Sequence, residues 1–410
     1  MEYERIDDIK HKKEQKRMQQ LIDKFHEIYG TEGEETRIFQ APGRINLIGE
    51  HIDYNGGHVF PAALEFNNTI IARANNTGFI NMAVTSLPNR VSADIDKLGE
   101  YKELEWGNYQ AGVAYMLKDA GYNIVGCDLL YHGTVPYGAG LSSSASIEVA
   151  TAVCLAKLGG AQELDMKKIA VLCQRAENEY VGMNCGIMDQ FVSALGKKDH
   201  ALFLDCATLE YEEVPLDLGE YTIVITNTNA PHKLTDSQYN TRRSQCEKAL
   251  AIINANGGSY QYLCEMTMDE LRKYEEYFAD ETIYKRARHC VTEEQRVEKA
   301  VDVLKKGDIA NFGRLLMEAN ISMRDDYEAT GKELDTVFDI AIGIDGVAGS
   351  RMTGGGFGGC NISIVHQSMV DEFIKTVKEE YTEAMGYEPS FYLSKAGRGA
   401  GEVVNWKENI

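Results

Sequence analysis

The stretch VPYGAGLSSSA, Val135 to Ala145, limits the fold of this chain more than any other. Gly138 and Gly140 let the backbone bend where a side chain would obstruct it. Three serines then open the periodic segment SIEVATAVCLAKLG, which predicts a helix packed through Ile147, Val149, Val153 and Leu155. Ser142 is the expected N-cap. A glycine turn feeding a helix start leaves N–H groups and the positive end of the dipole facing the turn, which makes an anion site. It is not a Walker A loop, because no Gly-Lys-Ser/Thr follows the glycines. Standing alone, the stretch would equally suit a capped helix after a tight turn.

Upstream, PGRINLIGEHIDYNGGHVFP (residues 42–61) sets Arg44, Glu50, His51 and Asp53 within a few residues of one another. Two carboxylates and an imidazole on one turn can clamp the hydroxyls of a small polyol. A guanidinium beside them can hold a carboxylate or phosphate in a planar fork. The plainer alternative is a charged hairpin edge around Asn55-Gly56. Downstream, Gly354 to Gly359 formally match GxGxxG, but the residues that follow, Cys360 to Val365, alternate like a strand. A dinucleotide fingerprint needs a helix there. The cluster is therefore read as a loop that admits close backbone approach, to a ligand or to the helix opening at Gly138.

Asp165 to Tyr180 reads as a helix capped by Asp165 and ended by Gly182, with Ile169, Leu172, Cys173, Ala176 and Tyr180 inward. Glu177 sits near its end. Asp189 follows a glycine-bearing loop between Met188 and Phe191, and a buried carboxylate there needs a partner. For Glu177 the ordinary alternative is a solvated helix charge.

Bulk properties narrow the class. A chain of 410 residues, 44% hydrophobic and 26% charged, can bury one large core or two modest ones. No apolar run is long enough to span a bilayer, and the charged first twenty residues lack a signal-peptide core. Nine scattered cysteines without a CxxC pair argue for reduced thiols, and Cys185 and Cys360 are expected to be small buried hydrophobes. A net charge of −21 argues against nucleic acid as a partner. The expectation is a cytoplasmic, monomeric enzyme that acts on small molecules.

Taken together and in this order, the motifs resemble those of the GHMP small-molecule kinases. GRINLIGEHIDYNGG is similar to the signature of the galactokinases within that superfamily. The resemblance continues through CGIMDQFVSALGKKDHALFLDC, ITNTNAPHKLTDSQYNTRRSQCEKA and MTGGGFGGC, and so spans the chain from about Arg37 onward. One departure is Ile52, where galactokinases usually carry threonine and the related N-acetylgalactosamine kinases carry isoleucine. CGIMDQ points back toward the galactokinases.

This resemblance implies ATP-dependent phosphorylation of the anomeric hydroxyl of galactose, with ATP and magnesium. It places the phosphates on Gly138, Ala139, Gly140, Leu141, Ser142, Ser143 and Ser144, and magnesium on Ser144 and Glu177. Trp106 falls where the family sets an aromatic near adenine, or is a plain core tryptophan. Glu50, His51, Asp53, Tyr239 and the backbone at Gly186 would meet the sugar hydroxyls. Asp189 would take the proton of the anomeric hydroxyl or merely position it, with Arg44 orienting it. Because nucleotide is an anion, Arg44, the helix opening at Ser142, magnesium and Arg242 or Arg243 would have to invert the local field, one of the last two being structural.

Interleaved strands, helices and hairpins suggest an α+β fold rather than a doubly wound parallel sheet. The resemblance implies two lobes, S5-like over residues 1–205 and ferredoxin-like over 206–410, with the active site in the cleft between them and a last strand that could return to the first lobe. A helix is expected near Ile9 to Tyr29, a strand over Tyr221 to Asn227, and a helix near Met369 to Met385. Strands are expected over Gly358 to Val365 and Phe391 to Ser394, and residues 254–288 read as a peripheral helical insert. Three other functions compete: a kinase for N-acetylgalactosamine, a ligand sensor that has lost turnover, and a metal hydrolase using His51, Asp53 and His58. The last lacks a helix-spaced ligand pair such as HExxH and leaves the glycine loops unexplained.

Overall fold

The computed structural model describes residues 2–136, 138–231, 235–404 and 406, with side chains from residue 13 onward except 235–237. Helix α1 (Glu2–Tyr29) precedes strands β1 (Arg37–Asn46), β2 (His58–Val59), β3 (Pro61–Ala74), β4 (Phe79–Val84) and β5 (Val91–Asp94). Helix α2 (Asn108–Asp119), strand β6 (Cys127–Gly133) and helices α3 (Ser143–Leu158), α4 (Met166–Arg175) and α5 (Met188–Leu195) follow, then β7 (His200–Asp205) and β8 (Tyr211–Pro215). Strand β9 (Tyr221–Asn227) leads into α6 (Thr235–Ala255), α7 (Met268–Arg272), α8 (Glu281–Lys305), α9 (Ile309–Ser322) and α10 (Lys332–Ala341). The chain closes through β10 (Val347–Thr353), β11 (Cys360–His366), α11 (Val370–Met385), β12 (Ser390–Leu393) and β13 (Gly401–Glu402).

A six-stranded sheet runs β13-β1-β3-β6-β4-β5, with only the β4–β6 pair parallel. A four-stranded antiparallel sheet runs β10-β11-β9-β12, and a small sheet joins β2, β7 and β8. Mixed sheets with helices packed on them make the fold α+β, as expected. Helix α3 is buried on almost every side between β1 and β3 and helices α2, α4 and α5. Its alanines permit that burial, since small residues let neighbouring backbones close on all faces. Met18, Leu21, Ile22 and Phe25 of α1 cover Ile38, Ile71, Ala83 and Leu130 of the six-stranded sheet. No described helix is long and apolar enough to cross a membrane.

Three local features of the fold have physical causes, and the last two depart from the readings above. The β1–β3 ladder shifts register between Pro42 and Arg44, where proline cannot donate a ladder bond. That bulge turns Arg44 toward the start of α3, and Gly43 is required beside it because a Cβ there would lie 2.5 Å from the Leu141 carbonyl. The Asn55-Gly56 pair closes no hairpin. Residues Asp53–Asn55 form a 3₁₀ turn ended by Gly56 at φ 71°, inside the long excursion between β1 and β3. Segment 254–288 is peripheral only in part. It is mostly short turns, and its final residues open α8, where Ile283, Arg286 and Ala287 are buried.

Candidate active site

Where the end of β1, the start of α3 and the β10–β11 connection meet, a cleft of about 340 Å³ opens. Its lining includes Arg44, Glu50, His51, Asp53, Gly138 to Ser144, Gly186, Asp189, Tyr239 and the glycines from Gly354 to Gly359. The two glycine loops approach each other: a Cβ on Gly359 would lie 3.3 Å from the Ala139 carbonyl, and one on Gly354 2.9 Å from the Gly140 carbonyl. Gly138 and Gly140, both at φ 68°, bend the first loop so that α3 starts facing the cleft.

Ser142 stands at the N-cap position but does not cap. Held at φ 59°, it turns its hydroxyl away from the helix and donates to Asp189 Oδ2 at 2.5 Å. Arg44 grips the same carboxylate in a fork, Nε to Oδ1 and Nη2 to Oδ2, both at 2.8 Å. Its remaining arm, Nη1, donates to the Gly140 carbonyl at 2.7 Å. A buried arginine thus ties the phosphate-type loop to the carboxylate at the start of α5. The fork is the geometry in which guanidinium and carboxylate bond most strongly.

Asp53 faces Asp189 across the cleft. Burial, and then repulsion from Asp189, raises its carboxyl to about 6. Gly186 is needed opposite, since a Cβ there would fall 1.8 Å from Asp53 Oδ2. Tyr239 lies against His51, with ring centroids 5.2 Å apart.

Glu50 and His51 line the cleft, but their polar atoms are already engaged. Glu50 pairs with the fully buried Arg351 and accepts from Gly354 N at 3.2 Å. Burial still raises its carboxyl to about 7, against the opposing pull of Arg351. Behind it, Glu293 accepts from Gly49 N at 3.0 Å and from Arg296 Nε at 2.7 Å. His289 Nε2 reaches the Glu50 carbonyl at 3.1 Å. Both ring nitrogens of His51 are likewise taken, by Tyr54 Oη at 2.7 Å and the Gly355 carbonyl at 3.0 Å. Glu50 and His51, expected to meet the sugar hydroxyls, both line the cleft, and each is held in place by partners from elsewhere in the fold.

Trp106 and Glu177 are the two expected residues that do not line the cleft. Trp106 packs on Tyr131 near the start of α2, and its indole Nε1 is buried without a partner among the described residues. Glu177 lies one layer back in a π-helical turn (Ala176–Val181) that extends α4, a form frequent at functional sites. Its Oε2 accepts from Gln190 Nε2 at 2.6 Å and lies 3.5 Å from Cys185 Sγ. The same amide donates to Glu148 Oε2 at 3.0 Å. Burial, then Asp189, raises Glu177 to about 7; burial, then Glu177, raises Glu148 well above the carboxylate range. Cys185 does line the cleft, yet burial pushes its thiol up, so it is no thiolate. Cys360 is fully buried.

Of the two arginines considered for the field, Arg242 donates to the carbonyls of Tyr327 and Glu328, both at 2.7 Å, and Arg243 to the Asn184 carbonyl at 3.2 Å. Neither lines the cleft. The metal-hydrolase set does not converge either: His58 Nδ1 pairs with Glu294 at 2.5 Å and its ring stacks on Phe203, away from His51 and Asp53. Glu148, Gln190, Glu293, Arg351, Tyr54 and Tyr327 went unread in the sequence, because nothing local marks them. Only the position of Arg351, three residues before the glycine cluster, hinted at a role.

Comparison with known proteins agrees with this geometry. The galactokinase galactose-binding signature matches residues 23–74, and the N-terminal and C-terminal GHMP kinase domains match residues 108–197 and 300–383. A galactokinase of Clostridium tetani is 46% identical over 94% of this chain and 97% of its own length, and one of Fusobacterium nucleatum 47% over 94% and 100%. The crystal structure of Lactococcus lactis galactokinase complexed with galactose superposes with a TM-score of 0.90 at 41% identity, covering 94% of this chain and 100% of that one. A mevalonate kinase structure at 17% identity and TM-score 0.61 shares the fold alone. The chain belongs to the galactokinase family of GHMP kinases.

Proposed function

We propose that the cleft transfers the γ-phosphoryl group of ATP to the anomeric hydroxyl of galactose, giving α-D-galactose 1-phosphate and ADP. The observation that carries this reading is the Arg44 fork, which joins the loop at Gly140 to Asp189 within hydrogen-bond distance on both sides. Phosphoryl transfer needs an acceptor oxygen held in line and the transferring charge neutralised. The backbone from Gly138 to Ser144, at the start of α3, offers N–H groups to the phosphates. Arg44 stands between that loop and Asp189, so one guanidinium serves both the carboxylate and the migrating charge. Asp189 orients the anomeric hydroxyl and receives its proton as the new bond forms.

On the sugar side, Asp53 and Tyr239 recognise ring hydroxyls, with the backbone at Gly186 closing the pocket. A site built to bond one hydroxyl rejects its epimer, because the unpaired buried carboxylate is costly. Ile52 is fully buried in the core and does not line the cleft, so it makes no direct contact with a sugar there.

Magnesium fits the acidic side of the cleft. Beyond burial, Asp189 raises both Glu177 and Glu148, Glu177 raises Glu148 further, and the one amide shared by the two glutamates carries no charge to offset them. Hard anionic oxygens beside a serine hydroxyl are the donors this cation takes. Ser144 and Glu177 would hold it, and when bound it supplies charge neutralisation for the phosphates.

We read residues 1–205 and 206–410 as the two lobes, with β13 returned to the first sheet beside β1. All nine cysteines are free thiols, the state a reducing cytoplasm maintains, and we take the working form to be a monomer.

A coupled ADP-release assay with Mg-ATP on galactose, N-acetylgalactosamine and glucose tests the function. Turnover on galactose alone supports it. Turnover chiefly on the acetylated sugar moves the activity to the sister enzymes, and binding without turnover on any sugar makes the protein a sensor.

A further inference from the structure

His51 sits at φ 63°, in the left-handed region that few non-glycine residues occupy, although histidine enters it more readily than most. Its ring is held in a column of side chains. Tyr54 Oη lies 2.7 Å from His51 Nδ1, Tyr327 Oη 2.7 Å from Tyr54 Oη, and Cys246 Sγ 3.2 Å behind Tyr327 Oη. At the other end His51 Nε2 meets the Gly355 carbonyl at 3.0 Å.

Chemistry fixes the direction of this column. A carbonyl oxygen only accepts, so His51 Nε2 carries the hydrogen and donates to Gly355. The neutral ring then has its lone pair on Nδ1, which accepts from the Tyr54 hydroxyl. Tyr54 has spent its proton and therefore accepts from the Tyr327 hydroxyl. Any reversal would set lone pair against lone pair in a dry interior, where an unmade hydrogen bond is expensive. Burial, which pushes the imidazole down to about 3, agrees with a neutral ring.

The segment that supplies Tyr327 also grips the glycine-rich loop directly. Phe357 N donates to the Ala329 carbonyl at 2.7 Å, and a Cβ on Gly356 would lie only 2.0 Å from that oxygen. Arg242, bonded to the Tyr327 and Glu328 carbonyls, lies 5.5 Å from the Phe357 ring centroid. Buried Arg286 holds Glu328 at 2.8 Å from below. The loop is thus tied at Gly355 through the column and at Phe357 through backbone.

We infer that Tyr54 and Tyr327 are positioning residues. Through His51 they fix the Gly355 carbonyl, and with it the glycine-rich loop, against the acidic turn that carries Asp53. This rests on the reading of the cleft as a sugar-phosphorylating site. Neither tyrosine hydroxyl touches substrate in this account; each acts through the imidazole.

The test uses full-length protein labelled with ¹⁵N at its nine histidines, His51 being assigned with His51→Gln. The wild type is expected to give a neutral Nε2–H imidazole whose Nδ1 accepts a hydrogen bond. Tyr54→Phe should keep that tautomer but move Nδ1 to the position of a free acceptor, and Tyr327→Phe should move it part of the way. Both variants should lower kcat by on the order of tenfold, as loss of loop placement does, while their denaturation midpoints stay near wild type. A charged ring or an Nδ1–H tautomer in the wild type would overturn the inference. So would an Nδ1 signal unmoved by Tyr54→Phe, or unchanged kcat in both variants. Galactose titration of Asp53→Ala keeps the two readings apart. Normal affinity there removes the site reading itself, whereas lost affinity with an unmoved Nδ1 signal removes only the column.

Discussion

The two ends of the cleft are built in different ways. At the end we assign to the phosphates the groups offered are backbone: Gly138 and Gly140 bend the chain and α3 begins at Ser143. At the end we assign to the sugar they are side chains on one turn, and residues 49–54 around it lean on residues far away in sequence: Arg351, Glu293, His289 and Tyr327. A backbone site needs only the right dihedrals. A side-chain site with buried charge needs a second layer that neutralises it, and this layer comes from α8, β10 and the turn that follows α9, Met323–Tyr327. The phosphate end should therefore tolerate changes elsewhere in the fold better than the sugar end does.

The largest expected effect strikes that second layer. Arg351→Met leaves Glu50 and Glu293 buried with one cation fewer, and should destabilise the fold by roughly 3–5 kcal/mol, read as a shift of the urea midpoint. An unchanged midpoint would mean that the sugar turn does not depend on the network. Next come paired glycine changes that separate the ends. Gly186→Ala pushes a methyl onto Asp53 and should raise the galactose KM by about a hundredfold with the ATP KM little changed. Gly140→Ala strains a left-handed residue by roughly 1–2 kcal/mol and should raise the ATP KM by about tenfold instead. If either variant moved both constants equally, the division into two ends would fail.

A smaller effect follows from pH. Recognition requires Asp53 charged, and its carboxyl is raised to about 6, so galactose affinity should climb as pH rises through 6 and level off above 7. Calorimetric titration across that range checks it, and Asp53→Asn should flatten the curve. Stability should run the other way. Folded Glu50 and Asp53 hold protons that the unfolded chain releases near pH 4, so their contribution is greatest in acid and declines as pH rises toward 7. The smallest change is Ser142→Ala, which removes one of three donors to Asp189 and should lower kcat several-fold without altering either KM.

The same contrast explains what could be read in the sequence. That the loop from Gly138 to Ser144 faces a cleft was legible because glycine and helix-start chemistry are local, and that Arg44, Asp53 and Asp189 meet there because charge clustered with glycine is rarely idle. Strand β9 and helix α11 emerged from simple periodicity, at or within a residue of their expected starts. What stayed hidden was who pairs with whom. Glu50 and His51 were legible as cleft residues, but not their partners, which lie some three hundred residues away, at Arg351 and Gly355. The N-cap expectation for Ser142 failed at the side chain because its backbone is left-handed, at φ 59°, where a cap needs an extended one, and its hydroxyl meets Asp189, 47 residues downstream. Trp106 had no local feature that could distinguish core from cleft.

The most direct test of the account is Asp189→Asn, assayed for turnover and, separately, for galactose binding by calorimetry. Asparagine keeps the shape but cannot receive the anomeric proton or complete the charged fork with Arg44. The account predicts galactose affinity within a few-fold of wild type and kcat lower by about a thousandfold or more. Near-normal turnover would contradict it, and would place the chemistry on a residue other than the one Arg44 holds.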